Sequence, residues 1–335
     1  MSARSQVIVT GSEGFIGSHL TEELVKRGHK VRAFVCYNSF NSWGWLDRID
    51  PKVLAEIEVI AGDVRDAQSI GKAIEGCETV FHLAALIAIP FSYSAPELYI
   101  DTNVKGTLNV LQACARYSVQ KLVHTSTSEV YGSAQYVPMD EKHQLNPQSP
   151  YAASKVAADH LAQSFYLSFG LPVATIRPFN AYGPRQSARA VIPSIIIQLA
   201  ARDAEIDLGA LEPTRDFTYV QDTARGFIAV AESNATTGEV VNVGSRFEVS
   251  IGQTAETIAR LMGRDLKIRR DPARDRPVLS EVTRLWCDNQ KAEKLAGWTP
   301  EYAGLEGFER GLKDTINWFS EPQNLSAYKS HLYNV

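Results

Sequence analysis

The stretch Val7-Ile-Val-Thr-Gly11-Ser-Glu-Gly14-Phe-Ile-Gly17 decides the fold. Its apolar, β-branched opening reads as a strand. Ile16, Leu20 and Leu24 follow at four-residue spacing, which is the buried stripe of an amphipathic helix. Three glycines stand between strand and helix. There the chain must turn tightly, and backbone N–H groups at a helix N-terminus can approach a pyrophosphate only if no side chain intervenes. Gly11, Gly14 and Gly17, with Phe15 and Ile16 beside them, are therefore candidate dinucleotide-binding residues. The competing reading is a tight turn of purely structural purpose.

Working outward, short apolar runs at Val7 to Thr10, Val31 to Val35, Val59 to Ala61, Thr79 to Leu83, Leu122 to Ser126 and Val173 to Ile176 alternate with helical patterns. One of those patterns places Leu108, Leu111 and Ala115 on an apolar stripe. The alternation predicts a doubly wound α/β fold, a parallel Rossmann-type sheet with crossover helices. After Arg177-Pro178 it loosens into shorter elements separated by Pro, Gly and charged clusters. The expected organisation is a dinucleotide-binding domain over 1–180, completed by 217–245, and a smaller mixed α/β substrate domain interleaved with it over 181–335.

The 335 residues are 44% apolar and 21% charged, and 34 Lys and Arg against 38 Asp and Glu give a net charge of −4. No overall positive field favours nucleic acid or an anionic membrane, so any phosphate must be met locally. Cys36, Cys77, Cys114 and Cys287 have neither disulfide-framework nor zinc-site spacing, and the histidines show no ligand spacing, so no metal is expected. The opening residues lack the apolar segment of a signal peptide, and no run is long enough to span a membrane. A cytoplasmic protein is expected.

The glycine spacing, Gly-x-x-Gly-x-x-Gly, resembles that of the short-chain dehydrogenase/reductase superfamily. The acid expected at the end of the second strand to hold the adenosine ribose is missing from Val31-Arg-Ala-Phe-Val-Cys-Tyr-Asn38-Ser39. Asn38 and Ser39 could bond either a hydroxyl or a phosphate. No Arg pair stands there for a 2′-phosphate, which favours NAD and leaves NADP open. Asp63-Val64 resembles the family's adenine-contacting pair, although Asp63 could equally cap a helix. The resemblance also implies cofactor contacts at Leu83, Ala84, Ala85, Asn103 and Thr125, Asn103 matching the family's structural and proton-relay asparagine.

Tyr151-Ala-Ala-Ser-Lys155 places a phenol and an ammonium on one helix face. A cation beside the phenol is expected to lower its pKa, so that it takes the proton of a sugar hydroxyl as hydride leaves the same carbon. Thr125-Ser126-Thr127-Ser128-Glu129 stands at the carboxyl end of the fifth strand, where such folds bind ligands. With Arg177-Pro-Phe-Asn180-Ala-Tyr-Gly-Pro-Arg185 and Arg215-Asp-Phe-Thr-Tyr-Val-Gln-Asp222, the resemblance is to extended short-chain dehydrogenases acting on nucleotide sugars, over nearly the whole chain.

In that group 4-epimerases lack an acid at the position of Glu129, whereas 4,6-dehydratases need one to remove the C5 proton. Glu129 otherwise reads as a surface carboxylate in a strand-to-helix loop. Thr127-Ser128-Glu129 is similar to the pattern of GDP-mannose 4,6-dehydratases and departs from the Asp-Glu pair of dTDP-glucose dehydratases. The resemblance implies that Tyr151, Lys155 and Thr127 conduct the oxidation and Glu129 the elimination, with Ser128 or Glu129 as acid. It implies diphosphate or sugar contacts at Asn180, Arg215 and Arg276, each arginine otherwise a surface ion-pair partner, and a homodimer formed partly through the Tyr151 helix. Asn38 to Trp45, His82 to Tyr93 and Ser280 to Asp288 look most like dehydratases of GDP- or UDP-linked N-acetylglucosamine in legionaminic-acid and related surface-sugar pathways. A 4-epimerase and a 5,6-dehydratase are the enzymatic alternatives, and a cofactor-sensing regulator the non-enzymatic one.

Overall fold

A computed structural model describes residues 5–201, 205–326 and 328. Its main layer is a seven-stranded, wholly parallel sheet of β1 (Gln6–Thr10), β2 (Lys30–Cys36), β3 (Ile57–Gly62), β4 (Thr79–His82), β5 (Lys121–Thr125), β6 (Val173–Pro178) and a last strand at Val240–Val243. The spatial order runs from Val240–Val243 through β6, β5, β4, β1 and β2 to β3. Because successive crossovers run in opposite directions on either side of β1, the carboxyl ends of β1 and β4 open a crevice for a ligand.

Central strands of such a sheet are covered on both faces, so their side chains are apolar throughout. Val7, Ile8 and Val9 of β1 are all buried. On one face, Leu20 and Leu24 of the helix Phe15–Lys26 share a core with Phe227 and Ile228 of the helix Val220–Glu232. On the other, Ile70 and Ile74 of the helix Ala67–Ile74 pack with Val110, Leu111 and Cys114 of the helix Gly106–Arg116. That last stripe is turned from the expected one. Leu108 is only half-buried and Ala115 is exposed. Both stripes run through Leu111 with helical spacing, so periodicity alone does not choose between them, and the packing does.

After β6 the chain leaves this layer. β7 (Asn180–Tyr182), β9 (Thr214–Tyr219) and β11 (Glu248–Ser250) make a three-stranded sheet, and β8 (Glu205–Leu208) pairs with β12 (Lys267–Arg270), the last large-sheet strand, Val240–Val243, being β10. Their core joins Ile192, Ile195 and Ile196 of the helix Val191–Ala201 to Phe217 and to Phe308 of the helix Gly304–Ser320. Phe217 to Tyr219 thus belong to the smaller sheet, and the return to the larger one is made by Val220–Glu232 and β10. None of the described helices is long and apolar enough to cross a membrane.

Candidate active site

The glycine turn is as tight as the sequence demands. Gly11 has φ +73°, and a Cβ there would lie 2.9 Å from Ala84 Cα. At Gly17 a Cβ would come within 2.1 Å of the Gly11 carbonyl oxygen. Gly14 caps the helix with no side-chain bond, which leaves the first-turn N–H groups of Phe15 and Ile16 free for an anion. Opposite, Thr10 Oγ1 accepts from Leu83 N and Ala84 N, both at 3.1 Å, holding the loop after β4 against the turn. Asn103 is fully buried; it accepts from Leu86 N at 2.8 Å and donates to Leu86 O and Ser154 Oγ, both at 2.9 Å. Its carboxamide is spent on protein groups, so it braces this floor where a direct cofactor contact was expected.

Two further expectations change at the end of β2 and after β3. Asn38 Oδ1 accepts from Phe40 N and Ser42 N, and its Nδ2 donates to Cys36 O and Ser42 O. The side chain closes its own loop, because Asn side chains readily bond backbone a few residues on. It is not presented to a ribose. Ser39 is exposed beside it. Asp63 does not cap the following helix; Asp66 does, accepting from Ser69 N, while the Asp63 carboxylate is engaged by the Arg65 guanidinium. Val64 next to it is buried, its carbonyl accepting from Asn109.

The reacting groups come from two elements. Ser149 caps the helix Pro150–Phe169, and Pro150 fixes its first turn. Tyr151 is 7% exposed and Lys155 4% exposed, one turn apart on its inner face. The second element is the 3-10 turn Ser128–Tyr131 after β5, capped by Thr127, whose Oγ1 accepts from Glu129 N at 3.3 Å. Thr127 and the Glu129 carboxylate both lie close enough to the Tyr151 phenol to bias it. Ser128 and Glu129 are both buried, so Glu129 is no surface residue.

Burial pushes the Tyr151 phenol above its ordinary range; Thr127 opposes this, and the charge of Glu129 adds to it. The net shift is upward, where a lowering is expected from the sequence. Burial also pulls the Lys155 ammonium down to about 8, against the attraction of Asp159. Both groups are thus desolvated, and a positive charge added beside the phenol would favour its ionised form.

Asp159 is a residue that the sequence reading missed. One turn beyond Lys155, it accepts from Ser126 Oγ at 2.6 Å and from Arg177 Nη2 at 3.0 Å, and it bonds His124 Nε2 at 3.1 Å. It ties the Tyr151 helix to β5 and β6. Burial pushes this carboxyl up, but His124, Arg177 and Ser126 outweigh burial and hold it down at about 2. The stabilisation from these partners is therefore complete above the unfolded pKa of about 4 and fades as pH falls toward 2. Replacing Asp159 by Asn is expected to destabilise the protein by about 3–5 kcal/mol in denaturant titration, since Arg177 is left buried and uncompensated. In the same variant the alkaline limb of activity should move to lower pH, because Lys155 loses the charge that keeps it protonated. An unchanged limb with reduced stability would leave Asp159 a purely structural tie.

A cleft of about 310 Å³ opens beyond these groups, lined by Asn180, Gln186, Arg215, Arg276 and Glu281 among others. Arg215 is buried and pairs with Glu281 at 3.0 Å, while Arg276 Nη1 stands 3.9 Å from Glu129 Oε2. Burial draws the Arg215 guanidinium below its usual value, partly offset by Glu129 and Glu281. Glu281 lies in the Ser280 to Asp288 segment singled out above but is not itself among the expected site residues. Buried polar atoms normally find a hydrogen-bond partner, yet eight side-chain atoms have none among the described residues, four of them being Glu13 Oε2, Thr125 Oγ1, Asn180 Oδ1 and Arg276 Nη1. Three of the four belong to residues that the sequence proposed as ligand contacts. Such atoms, with the glycine cradle, fit a dinucleotide and a diphosphate-bearing substrate.

A family model described as GDP-mannose 4,6 dehydratase matches residues 8–314. The chain belongs to this family. Its similarities extend across nucleotide-sugar dehydratases and epimerases, and it is an enzyme of that superfamily. It is 33% identical, over 93% of its length and 97% of the relative's, to a putative UDP-glucose 4-epimerase of Methanocaldococcus jannaschii. The fold matches that of a UDP-N-acetylglucosamine 4-epimerase from Methanobrevibacter ruminantium with a TM-score of 0.83 and 30% identity, covering 97% of this chain and 99% of that one. It matches a dTDP-glucose 4,6-dehydratase from Streptomyces venezuelae, solved with NAD bound, with a TM-score of 0.82 and 27% identity, covering 96% and 98%. The doubly wound fold expected from the glycine turn is thereby confirmed.

Proposed function

We propose that this enzyme is a nucleotide-sugar 4,6-dehydratase with NAD as its internally recycled cofactor, converting GDP- or UDP-N-acetylglucosamine to the 4-keto-6-deoxy sugar. The observation that carries the reading is the placement of Glu129: a buried carboxylate beside the Tyr151 phenol and facing Arg276. A 4-epimerase needs the phenol and Lys155 but has no use for a second, carboxylate base there. The glycine turn, with Thr125 and Lys155, would hold the cofactor on the seven-stranded layer. The nucleotide diphosphate lies against Asn180, Arg215 and Arg276, since a guanidinium suits that bidentate task.

NAD, when bound, supplies a hydride acceptor at C4, a donor of the same hydride at C6 and a positive charge near the phenol. Tyr151, supported by Thr127 and Lys155, takes the C4 hydroxyl proton. The resulting ketone acidifies C5, and Glu129 removes that proton. Glu129, by itself or with help from Ser128, protonates the C6 hydroxyl as it leaves as water, and the proton taken by Tyr151 returns to the sugar at C5. The sugar loses one water, with no net redox change.

The choice of an N-acetylhexosamine draws on three segments that resemble one dehydratase group. Two of them meet where Tyr93 Oη and Ser280 Oγ are 2.6 Å apart and Ser280 Oγ donates to Gln148 O. A homodimer through the Tyr151 helix accords with its exposed Leu167 and Phe169. The test is incubation with each nucleotide sugar followed by mass and proton NMR spectra. Loss of water with a new C6 methyl doublet supports the reading. Unchanged mass with inverted C4 makes the enzyme an epimerase, and water loss without a methyl group a 5,6-dehydratase.

A further inference from the structure

The adenosine ribose of a dinucleotide on this fold is ordinarily held by an acid at the end of the second strand, and β2 ends instead in Cys36, Tyr37 and Asn38. An acid nevertheless occupies that place in space. Glu13 lies inside the glycine turn, between Gly11 and Gly14, and its side chain reaches across to β2, where Oε1 accepts from Cys36 N at 3.0 Å. The other oxygen, Oε2, is shielded from solvent and has no partner among the described residues.

The loop after β2 fixes this carboxylate from outside. Trp45 N donates to Glu13 O at 3.0 Å, and Gly44, at φ +58°, packs so closely that a Cβ on it would lie 2.9 Å from Glu13 Cβ. Asn38 shapes the same loop through its four bonds to Cys36, Phe40 and Ser42. The segment Asn38 to Trp45 thus works as a clasp over Glu13.

We propose that Glu13 is the ribose-binding acid of this enzyme, transplanted from the end of β2 into the glycine turn, and that it selects NAD over NADP. One oxygen is anchored to β2, and the free one accepts from an adenosine ribose hydroxyl. A 2′-phosphate would put negative charge against an anchored carboxylate, and the Arg65 guanidinium, near enough to Cys36 at the end of β2 to influence its thiol, is already engaged by Asp63. Burial pushes the Glu13 carboxyl upward while the Cys36 N–H holds it down, so a hydroxyl donor would complete a site that the protein alone leaves half-satisfied. The proposal rests on the assignment of a dinucleotide to the glycine turn and is independent of the reaction catalysed.

Binding measured without turnover tests it. Protein stripped of nucleotide is titrated calorimetrically with NAD, with NADP and with NAD lacking the adenosine ribose hydroxyls. The native protein should bind NAD at least about tenfold more tightly than either of the others, as expected for losing a hydrogen bond to a charged group. In Glu13→Gln, which keeps an acceptor for Cys36 N, NAD should weaken by about tenfold or more, the hydroxyl-free analogue should bind as it does to the native protein, and the preference over NADP should shrink accordingly. Equal weakening toward all three would make Glu13 a structural clamp and overturn the proposal. Native protein that binds NADP or the hydroxyl-free analogue as well as NAD would overturn it with no variant needed. Failure of the dehydratase reading would show in the products and leave these affinities untouched.

Discussion

Enzyme carrying Glu129→Gln is expected to oxidise its substrate and stop. Glutamine keeps the size and much of the hydrogen bonding of the residue it replaces, so the buried turn Ser128–Tyr131 and the Thr127 bond to Glu129 N should survive. What it lacks is a base. Hydride removal from C4 depends on Tyr151, Thr127 and Lys155, whereas removal of the C5 proton depends on the carboxylate. Absorbance of reduced nicotinamide should rise on mixing and persist, while formation of the 6-deoxy product falls by about a hundred- to ten-thousand-fold, the usual range for a lost general base. Two features of the site keep this separation clean. Glu129 touches the phenol's environment only as a nearby charge that pushes its pKa upward, so neutralising it should if anything ease the first step. Its pairing with Arg276 is long, at 3.9 Å, and losing it should not dislodge the guanidinium. Normal turnover by this variant would remove Glu129 from the mechanism.

Tyr151→Phe should fail earlier. The phenol lies near Thr127 in a nearly closed setting, and the neighbouring phenol of Tyr99 is already engaged, donating its hydroxyl to Ala88 O. Loss of the proton acceptor for the C4 hydroxyl should cut turnover by about a hundred- to ten-thousand-fold, with no reduced nicotinamide formed at any time. The ring still fills the contact with Tyr99, at 6.2 Å between centroids, so folding and nucleotide affinity should be retained. The two variants together separate oxidation from elimination: one accumulates reduced cofactor, the other never makes it. If both behaved alike, with no reduced cofactor in either, Glu129 and Tyr151 would act in a single step and the assignment of Glu129 to the elimination would fail.

Much of this architecture is legible in the chain because its causes are local. The glycine turn has only one way to sit between a strand and a helix, and each central strand advertises itself by being apolar on both faces. Tyr151 and Lys155 are spaced by a helical turn, so their meeting needs no tertiary information. The parts that stayed hidden depend on distant partners. Asp159 reads as an ordinary polar residue until His124 and Arg177, on two different strands, are brought to it. Glu281 acquires meaning only through Arg215, 66 residues away. Asn38 was a reasonable ribose ligand by chemistry, but its carboxamide found nearer partners in its own loop, and the acid sought at the end of β2 came from Glu13, 23 residues before Cys36. The stripe of the helix Gly106–Arg116 shows the limit of periodicity: it finds the helix and leaves its rotation to packing.

The most direct test follows one atom. Nucleotide-linked N-acetylglucosamine carrying deuterium at C4 is incubated with the native enzyme, and the product is examined by NMR and mass spectrometry. A 4,6-dehydratase moves the C4 hydride to C6, so the account predicts a 4-keto product whose C6 methyl group carries the deuterium. Deuterium that remains at C4 of an unchanged-mass, inverted sugar would contradict it and make Glu129 a bystander in an epimerase.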